Sequence, residues 1–549
     1  MSLTREQTMT HDLRHEGGPE VVAGPPRDLT MARRGMVASM HPFASEAGLE
    51  MLRRGGNAID AAIAAAAVLT VVEPGNGHLG GDTFILIGHA DGEVVALNGS
   101  GAAPSAATLD RYQAMGGIPE DGLLSATVPG TVDCWAHASA RYGALPLAAV
   151  LEPAIWYAEN GVPVNARLHQ VLTLGAPVFR KYPASVRVFL PNGDVPPVGG
   201  VLRQAGLGAS LRRIAAGGRD ELYTGALAAE MVAFSAANGG LFTREDFAVH
   251  ATEERAPISV KYRGFTVYEQ PPVSQGLIVL LALGIMRQFD ARAMGLGSAA
   301  LIHLQIEALK LAVEDRLRWL GDPAFVDVPL DMLLSEEHAR EQAALIDPAR
   351  TRPLAPLGQR QPDTTYLCAA DESGTMVSYI HSLFTGSGVV LGETGVLMNS
   401  RLLGFDLDPA SPNCLAPGKR PVHTLNPWLV AKDGQTVLVG GTPGAQWQVQ
   451  TNLQLLTNLL DFGLDVQRAI EVPRFTYGNQ RTVDDPTISL ESRVKPAVVA
   501  ELRAKGHPIE LTGPWAAGGA MQLIARDPAT GILSGAAEPR LPGCTVAGY

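Results

Sequence analysis

Cysteine is scarce in this 549-residue chain: four residues, Cys134, Cys368, Cys414 and Cys544, stand far apart. None has the short spacing of a zinc or dithiol motif, so no cysteine-held metal or redox pair is expected. Such sparse cysteine suits a reducing compartment. Charge is also thin, at 18% of residues, and no block of lysine or arginine stands out. With a net charge of -12 and a pI near 5.6, the chain is not expected to bind nucleic acid or anionic membrane. Its acidity reads as a solvated surface. The Ala-rich run from Ala58 to Val72 is too short to span a bilayer and reads as a buried helix. The first 28 or so residues are polar, mixed in charge and rich in Gly and Pro, without the apolar centre of a signal peptide.

What is present is a globular composition, 46% hydrophobic, and enough length for a large core. Length alone would suggest two or more domains. Residues 1–30 read as a loose arm. From His41 to Val72 the pattern is helical, with Ser45 or Asn57 as caps. Strands follow at Thr83 to Gly88 and Val94 to Asn98. The region from Trp135 to Asp246 is mostly helical, Ile258 to Glu269 alternates as strands, and Gly276 to Phe289 reads as a buried helix. Leu301 to Leu320 reads as an amphipathic helix with Glu307, Lys310, Glu314 and Arg316 on its polar side. Residues 346–362, rich in Pro, Arg and Gln, form a linker. After it, short strands dominate to about Val439, and a helix runs from about Gln448 to Phe462. The glycine-rich turn from Gly75 to Asp82 lacks a following Lys-Ser/Thr and leads into a strand, so a phosphate cradle is not expected there.

The stretch from Pro362 to Gly374 carries the most chemistry. A polar break, Pro362-Asp363, precedes a strand that opens on Thr364, turns at Glu372-Ser373-Gly374 and pairs with Thr375 to Ile380 as a hairpin. The Gly/Ser loop Thr385-Gly386-Ser387-Gly388 follows. Two readings fit a threonine in this place. It is an ordinary strand start, or it is a nucleophile whose base is its own α-amine, exposed when the chain is cut before it. In the second reading the Thr364 hydroxyl attacks the Asp363 carbonyl, an ester forms and water frees the new N-terminus. A free α-amine titrates at about 7.7 to 8.0, near enough to neutrality for general-base work.

Ordered motifs along the chain weigh between the two. They include Gly35-Met36-Val37-Ala38, Gly55-Gly56-Asn57-Ala58-Ile59-Asp60-Ala61-Ala62, Leu79-Gly80-Gly81-Asp82, Thr127-Val128-Pro129-Gly130, Pro417-Gly418-Lys419-Arg420-Pro421, Thr442-Pro443-Gly444 and Gly535-Ala536-Ala537-Glu538-Pro539-Arg540. With these the chain resembles the γ-glutamyltransferase (γ-glutamyl transpeptidase) family of N-terminal nucleophile hydrolases, from about Gly35 to the C-terminus. Periodicity by itself gives only mixed α and β. The resemblance implies an α+β fold, a four-layer αββα sandwich, formed as one compact unit by residues 31–363 and 364–549 after self-cleavage. It implies no cofactor and no metal. It also implies a small-molecule amide substrate and a heterodimer of the chain's own two fragments, with further dimerisation left open. Many bacterial members are exported, so the polar N-terminus departs from them and points to the cytoplasm.

Carried onto this sequence, the family's pattern places the nucleophile at Thr364, with cleavage between Asp363 and Thr364. An assisting hydroxyl falls at Ser382, and the oxyanion donors fall on the backbone N–H groups of Gly444 and Ala445. The substrate positions depart from the pattern. The arginine that grips an α-carboxylate falls at Ser100, the α-amine-binding aspartate at Gly404 and the glutamine three residues earlier at Arg401. The asparagine falls at Phe384, and the paired serines at His423 and Thr424. A γ-glutamyl group would lose several charge-assisted hydrogen bonds, each worth about 1.5 to 3 kcal/mol. Arg401 and His423 suit a small acid without an amine instead. Ser100-Gly101, the Ser382-Leu383-Phe384 run, the stretch from His423 to Pro427 and the ending Ala547-Gly548-Tyr549 resemble the subgroup with oxamate amidohydrolase and the so-called cephalosporin acylases. The leading expectation is therefore a self-processing amidohydrolase. The alternatives are a true γ-glutamyltransferase or glutathione hydrolase, and an uncleaved, inactive scaffold. His41, His78, His381 and His423 are too dispersed for a helical metal motif.

Overall fold

The computed structural model describes residues 28–353, 363–478 and 486–549. The arm at 1–27 and the linker at 354–362 lie outside the described residues, so only the rest of those two expectations meets the structure. Thr30–Ala32 is already a strand, paired with Leu533 to Gly535.

Two seven-stranded antiparallel sheets form the centre. One runs, edge to edge, through Thr545–Gly548, Gly35–Ser39, Asp363–Asp371, Met376–Phe384, Asp82–Gly88, Val94–Gly99 and Glu253–Arg255. The other runs through Thr30–Ala32, Leu533–Ala537, Gln522–Arg526, Gln435–Gly441, Trp428–Lys432, Phe265–Glu269 and Ile258–Tyr262. Alternation along the strands stacks the sheets. On Asp363–Asp371, Tyr366, Cys368 and Ala370 point into the layer between the sheets, where they meet Leu429, Val439 and Ile524. Leu367 and Ala369 point the other way, toward the helices Pro42–Arg53 and Ala58–Val72. The second sheet's outer face is covered by Gly276–Met286, Ala299–Trp319 and Trp447–Leu460. This is the four-layer αββα sandwich.

Local chemistry explains where several elements begin. Asn57 caps the Ala-rich helix in a reciprocal capping box with Asp60. The first helix is capped by His41 rather than Ser45, which lies inside it and hydrogen-bonds Ser39 at 2.7 Å. Asp371 ends its strand by accepting the backbone N–H groups of Ser373 and Thr375, while its other oxygen takes the N–H of Ala58 at 2.9 Å. One carboxylate thereby closes the hairpin turn and fixes it to the start of the Ala-rich helix.

The helix expected at Leu301 to Leu320 is present as Ala299–Trp319, but much of its polar side does not face water. Glu307, Lys310 and Arg316 are buried. The Lys310 ammonium donates to Glu307 at 2.8 Å and to the Arg352 carbonyl at 2.8 Å, and Glu307 accepts the Arg352 N–H at 2.9 Å. Beside them, His303 Nδ1 and His507 Nε2 share a 2.7 Å hydrogen bond, and His303 Nε2 donates to the Asp347 carbonyl. The charges that looked solvated instead grip residues 347–352, the last described segment before the expected cut.

Glu269, at the end of its strand, is a cost built into this core. It is wholly buried, neither carboxyl oxygen has a partner among the described residues, and a side chain at Gly276 would collide with it. Burial holds its carboxyl well above the usual range. The unfolded chain releases this proton near pH 4.5 while the folded chain retains it, so stability falls as pH rises through that window. The slope is about 1.4 kcal/mol per pH unit until the folded group ionises. Glu269→Gln is expected to raise the thermal unfolding midpoint, with a gap over the native chain that widens from pH 5 to pH 8.

Candidate active site

The candidate residues gather at one rim of the space between the sheets. In the paired strands Thr364 lies opposite Ser382, and Ser382 lies opposite Asp82, so three polar residues form one row across three strands. They continue the inter-sheet face of Tyr366, Ile380 and Phe84. Thr364 is buried and its hydroxyl donates to Ser382 Oγ at 3.2 Å. Ser382 Oγ also accepts the Phe384 N–H at 2.9 Å. The register slips between Asp363 and Thr364, because Asp363 pairs with Phe384 and skips Leu383, and Phe384 sits at φ +64°. A bulge of this kind re-aims side chains at the end of a ladder.

The glycine-rich turn before Asp82 forms part of the floor. A side chain at Gly81 would stand 2.5 Å from the Ser382 carbonyl oxygen, and one at Gly80 would strike the Leu397 carbonyl. Glycine lets these backbones approach, which accounts for the run without any phosphate. Asn399 locks the same corner: it donates to the Gly80 carbonyl at 2.8 Å and accepts the N–H groups of Thr127 and Arg401, each at 2.9 Å.

Arg401 and Asp82 are wholly buried, with Nε donating to Oδ2 at 3.2 Å. The second Asp82 oxygen accepts the Gly101 N–H at 2.8 Å. Burial pushes the Asp82 carboxyl up, to about 6, against the opposing pull of Arg401 and that N–H. Arg401 lies 4.7 Å from the centre of the Phe384 ring, and both of its terminal nitrogens lack partners among the described residues. His423 stands edge-on to Phe84, with Nε2 3.9 Å from Asp82 Oδ2, beyond hydrogen-bond reach. Burial and the nearby Arg401 and Arg420 charges hold its imidazole well below the ordinary range, so it is neutral.

Ser100 is also buried, but its hydroxyl is committed to Asn98 Oδ1 at 2.6 Å, and its carbonyl accepts from Arg420 at 3.0 Å. Gly404 lies in the short turn Arg401–Gly404, and its carbonyl accepts from Asn413. Thr424 is buried, with no partner for its hydroxyl among the described residues. Gly444, at φ +127°, and Ala445, at φ +53°, lie in the loop after the strand Gln435–Gly441 and lead into the helix Trp447–Leu460. A helix N-terminus favours negative charge, which suits an oxyanion.

Two residues of this site are not apparent as site residues from sequence. Asp82 reads as the end of a glycine turn, and only strand register sets it beside Ser382. Gln275 falls just before the buried helix expected from Gly276, although its side chain reaches the Ala445 loop.

A two-sheet sandwich with a hydroxyl residue at the mouth of a central strand defines an N-terminal nucleophile hydrolase. The Gamma-glutamyltranspeptidase family model matches residues 44–548, and the chain belongs to that family. It is 38% identical to the glutathione hydrolase-like YwrD proenzyme of Bacillus subtilis, over 93% of this chain and 98% of that protein. It is 36% identical to the oxamate amidohydrolase proenzyme of Klebsiella pneumoniae, over 94% and 99% respectively. The crystal structure of cephalosporin acylase from Bacillus halodurans superposes with a TM-score of 0.89 at 37% identity, covering 97% of this chain and 99% of that one. The family and the resemblance to its amidohydrolases thus hold. Near-equal identities to proteins of different names leave the acyl group to be argued from the pocket.

Proposed function

We propose that this chain is a self-processing amidohydrolase for a short acid that carries no amine, acting through an acyl ester on Thr364. The chain cuts itself between Asp363 and Thr364, and the two fragments stay together as a heterodimer. The freed α-amine of Thr364 takes the hydroxyl proton, with Ser382 as hydrogen-bond partner, while the backbone N–H groups of Gly444 and Ala445 hold the oxyanion. Burial lowers the pKa of such an amine from its usual range of about 7.7 to 8.0, which favours the free base at neutral pH. Water then resolves the ester. Cytoplasmic action is part of this proposal.

The observation that carries the substrate class is the buried Arg401 with two unengaged nitrogens, next to a position, Gly404, that offers no carboxylate to an amine. Thr364 and Asp82 are two strand spacings apart, about 10 Å between Cα atoms. That leaves room for only a few atoms between the attacked carbonyl and a carboxylate on Arg401.

Hydrolysis of oxamate and succinamate, read as ammonia release, is set against γ-glutamyl-p-nitroanilide with and without glycylglycine. The proposal expects the short acids to be turned over with kcat/KM at least about 10²-fold higher, the loss a missing pair of charge-assisted bonds entails. Robust p-nitroaniline release stimulated by glycylglycine would favour a γ-glutamyltransferase and overturn it.

A further inference from the structure

We infer that Gln275 is a positioning residue that sets the shape of the oxyanion loop, and so acts on the same reaction without touching the substrate. The inference rests on the role proposed for Thr364, Gly444 and Ala445.

Gln275 is wholly buried in the turn between the strand Phe265–Glu269 and the helix Gly276–Met286. Its side-chain amide donates to two backbone carbonyls, Thr424 at 2.9 Å and Ala445 at 3.1 Å. Its backbone N–H donates to the His423 carbonyl at 2.8 Å, and next to it the Ser274 hydroxyl donates to the Leu425 carbonyl at 2.6 Å. The turn is therefore stitched along residues 423–425, and the Gln275 side chain continues to the loop at 445.

That loop needs support. Ala445 occupies the left-handed region, which alanine disfavours because its Cβ crowds the backbone. Three hydrogen bonds hold the planes on either side of it. Trp447 N–H donates to the Gly444 carbonyl at 2.8 Å and fixes the plane that carries the Ala445 N–H. Gln275 holds the Ala445 carbonyl and fixes the next plane, together with the longer Gln448 contact at 3.2 Å. Between them they keep φ positive and aim the Ala445 N–H. Gln275 precedes the proposed cut and Ala445 follows it, so the first fragment shapes the oxyanion loop of the second.

Gln275→Glu keeps the shape and removes both donors while ionised; a protonated carboxyl returns one. The probe is p-nitrophenyl acetate. Thr364 Oγ bonds to the acetyl carbon, the ester C–O bond breaks, p-nitrophenolate leaves and the Thr364 proton passes to the α-amine. The burst rate and the mass of the fragment beginning at Thr364 are followed from pH 8 to pH 5.5, with self-cleavage timed by intact mass. Relative to the native chain, acetylation and self-cleavage in Gln275→Glu are expected to be 10- to 100-fold slower at pH 8, by analogy with loss of oxyanion support. Most of that deficit is expected to close by pH 5.5. A deficit independent of pH, an absence of both reactions at every pH, or native rates throughout would each overturn the inference. If the native chain itself is not acetylated on that fragment, the Thr364 reading fails and the inference falls with it.

Discussion

Replacing Thr364 by alanine is expected to abolish both self-cleavage and turnover. On the proposed mechanism the hydroxyl is the attacking atom in each, and the amine that would serve as base exists only after the first. Losing a nucleophile that acts as a unit with its base costs at least about 10⁴-fold in kcat. Thr364→Ser is the informative companion. It keeps the oxygen that donates to Ser382 Oγ at 3.2 Å and removes a buried methyl worth about 0.8 kcal/mol. It should still cut and still turn over, more slowly. If Thr364→Ala instead leaves a whole chain that keeps its amidase activity, the chemistry lies elsewhere.

Arg401→Gln should give the second largest effect, and it should be selective. Two charge-assisted bonds to a carboxylate, each about 1.5 to 3 kcal/mol, amount to a loss of roughly 10²- to 10⁴-fold in kcat/KM for a short acid amide. Reaction with the neutral p-nitrophenyl acetate should change little. The variant also strands Asp82, since a buried charge left without its partner costs about 3 to 5 kcal/mol. Asp82→Asn combined with Arg401→Gln should recover the unfolding midpoint without recovering the acid substrate. Equal losses on the acid and the ester would make Arg401 part of the scaffold. The native pocket carries a pH signature as well. As pH falls through about 6, Asp82 takes up a proton, Arg401 is left the dominant charge, and KM for an anionic substrate should fall. Over the same range kcat should drop, because the proposed amine base would be protonated.

Much of this could be read along the chain because the relevant contacts are local. Thr364 and Ser382 meet within one hairpin, and the turn at Glu372-Ser373-Gly374 sets their register. Strands such as Ile258–Tyr262 and Phe265–Glu269 and the helix Gly276–Met286 follow from apolar patterning, and Asn57 caps its helix as its type suggests. What escaped depends on tertiary partners. Glu307 and Lys310 have the spacing of an exposed helix pair, but residues 351–352 return to bond both, and the pair is buried. Ser45 has a capping side chain, but His41 precedes Pro42 and takes the first free N–H. Asp82 meets Arg401 across 319 residues, and Gln275 meets Ala445 across 170. No local pattern announces either pair.

Intact mass of the purified native chain under denaturing conditions tests the central claim most directly. The account predicts two fragments of about 38 and about 20 kDa that meet at Asp363 and Thr364, the second beginning with threonine. A single 57.8 kDa chain that persists on ageing would contradict it, because the base on which the chemistry depends would never be formed.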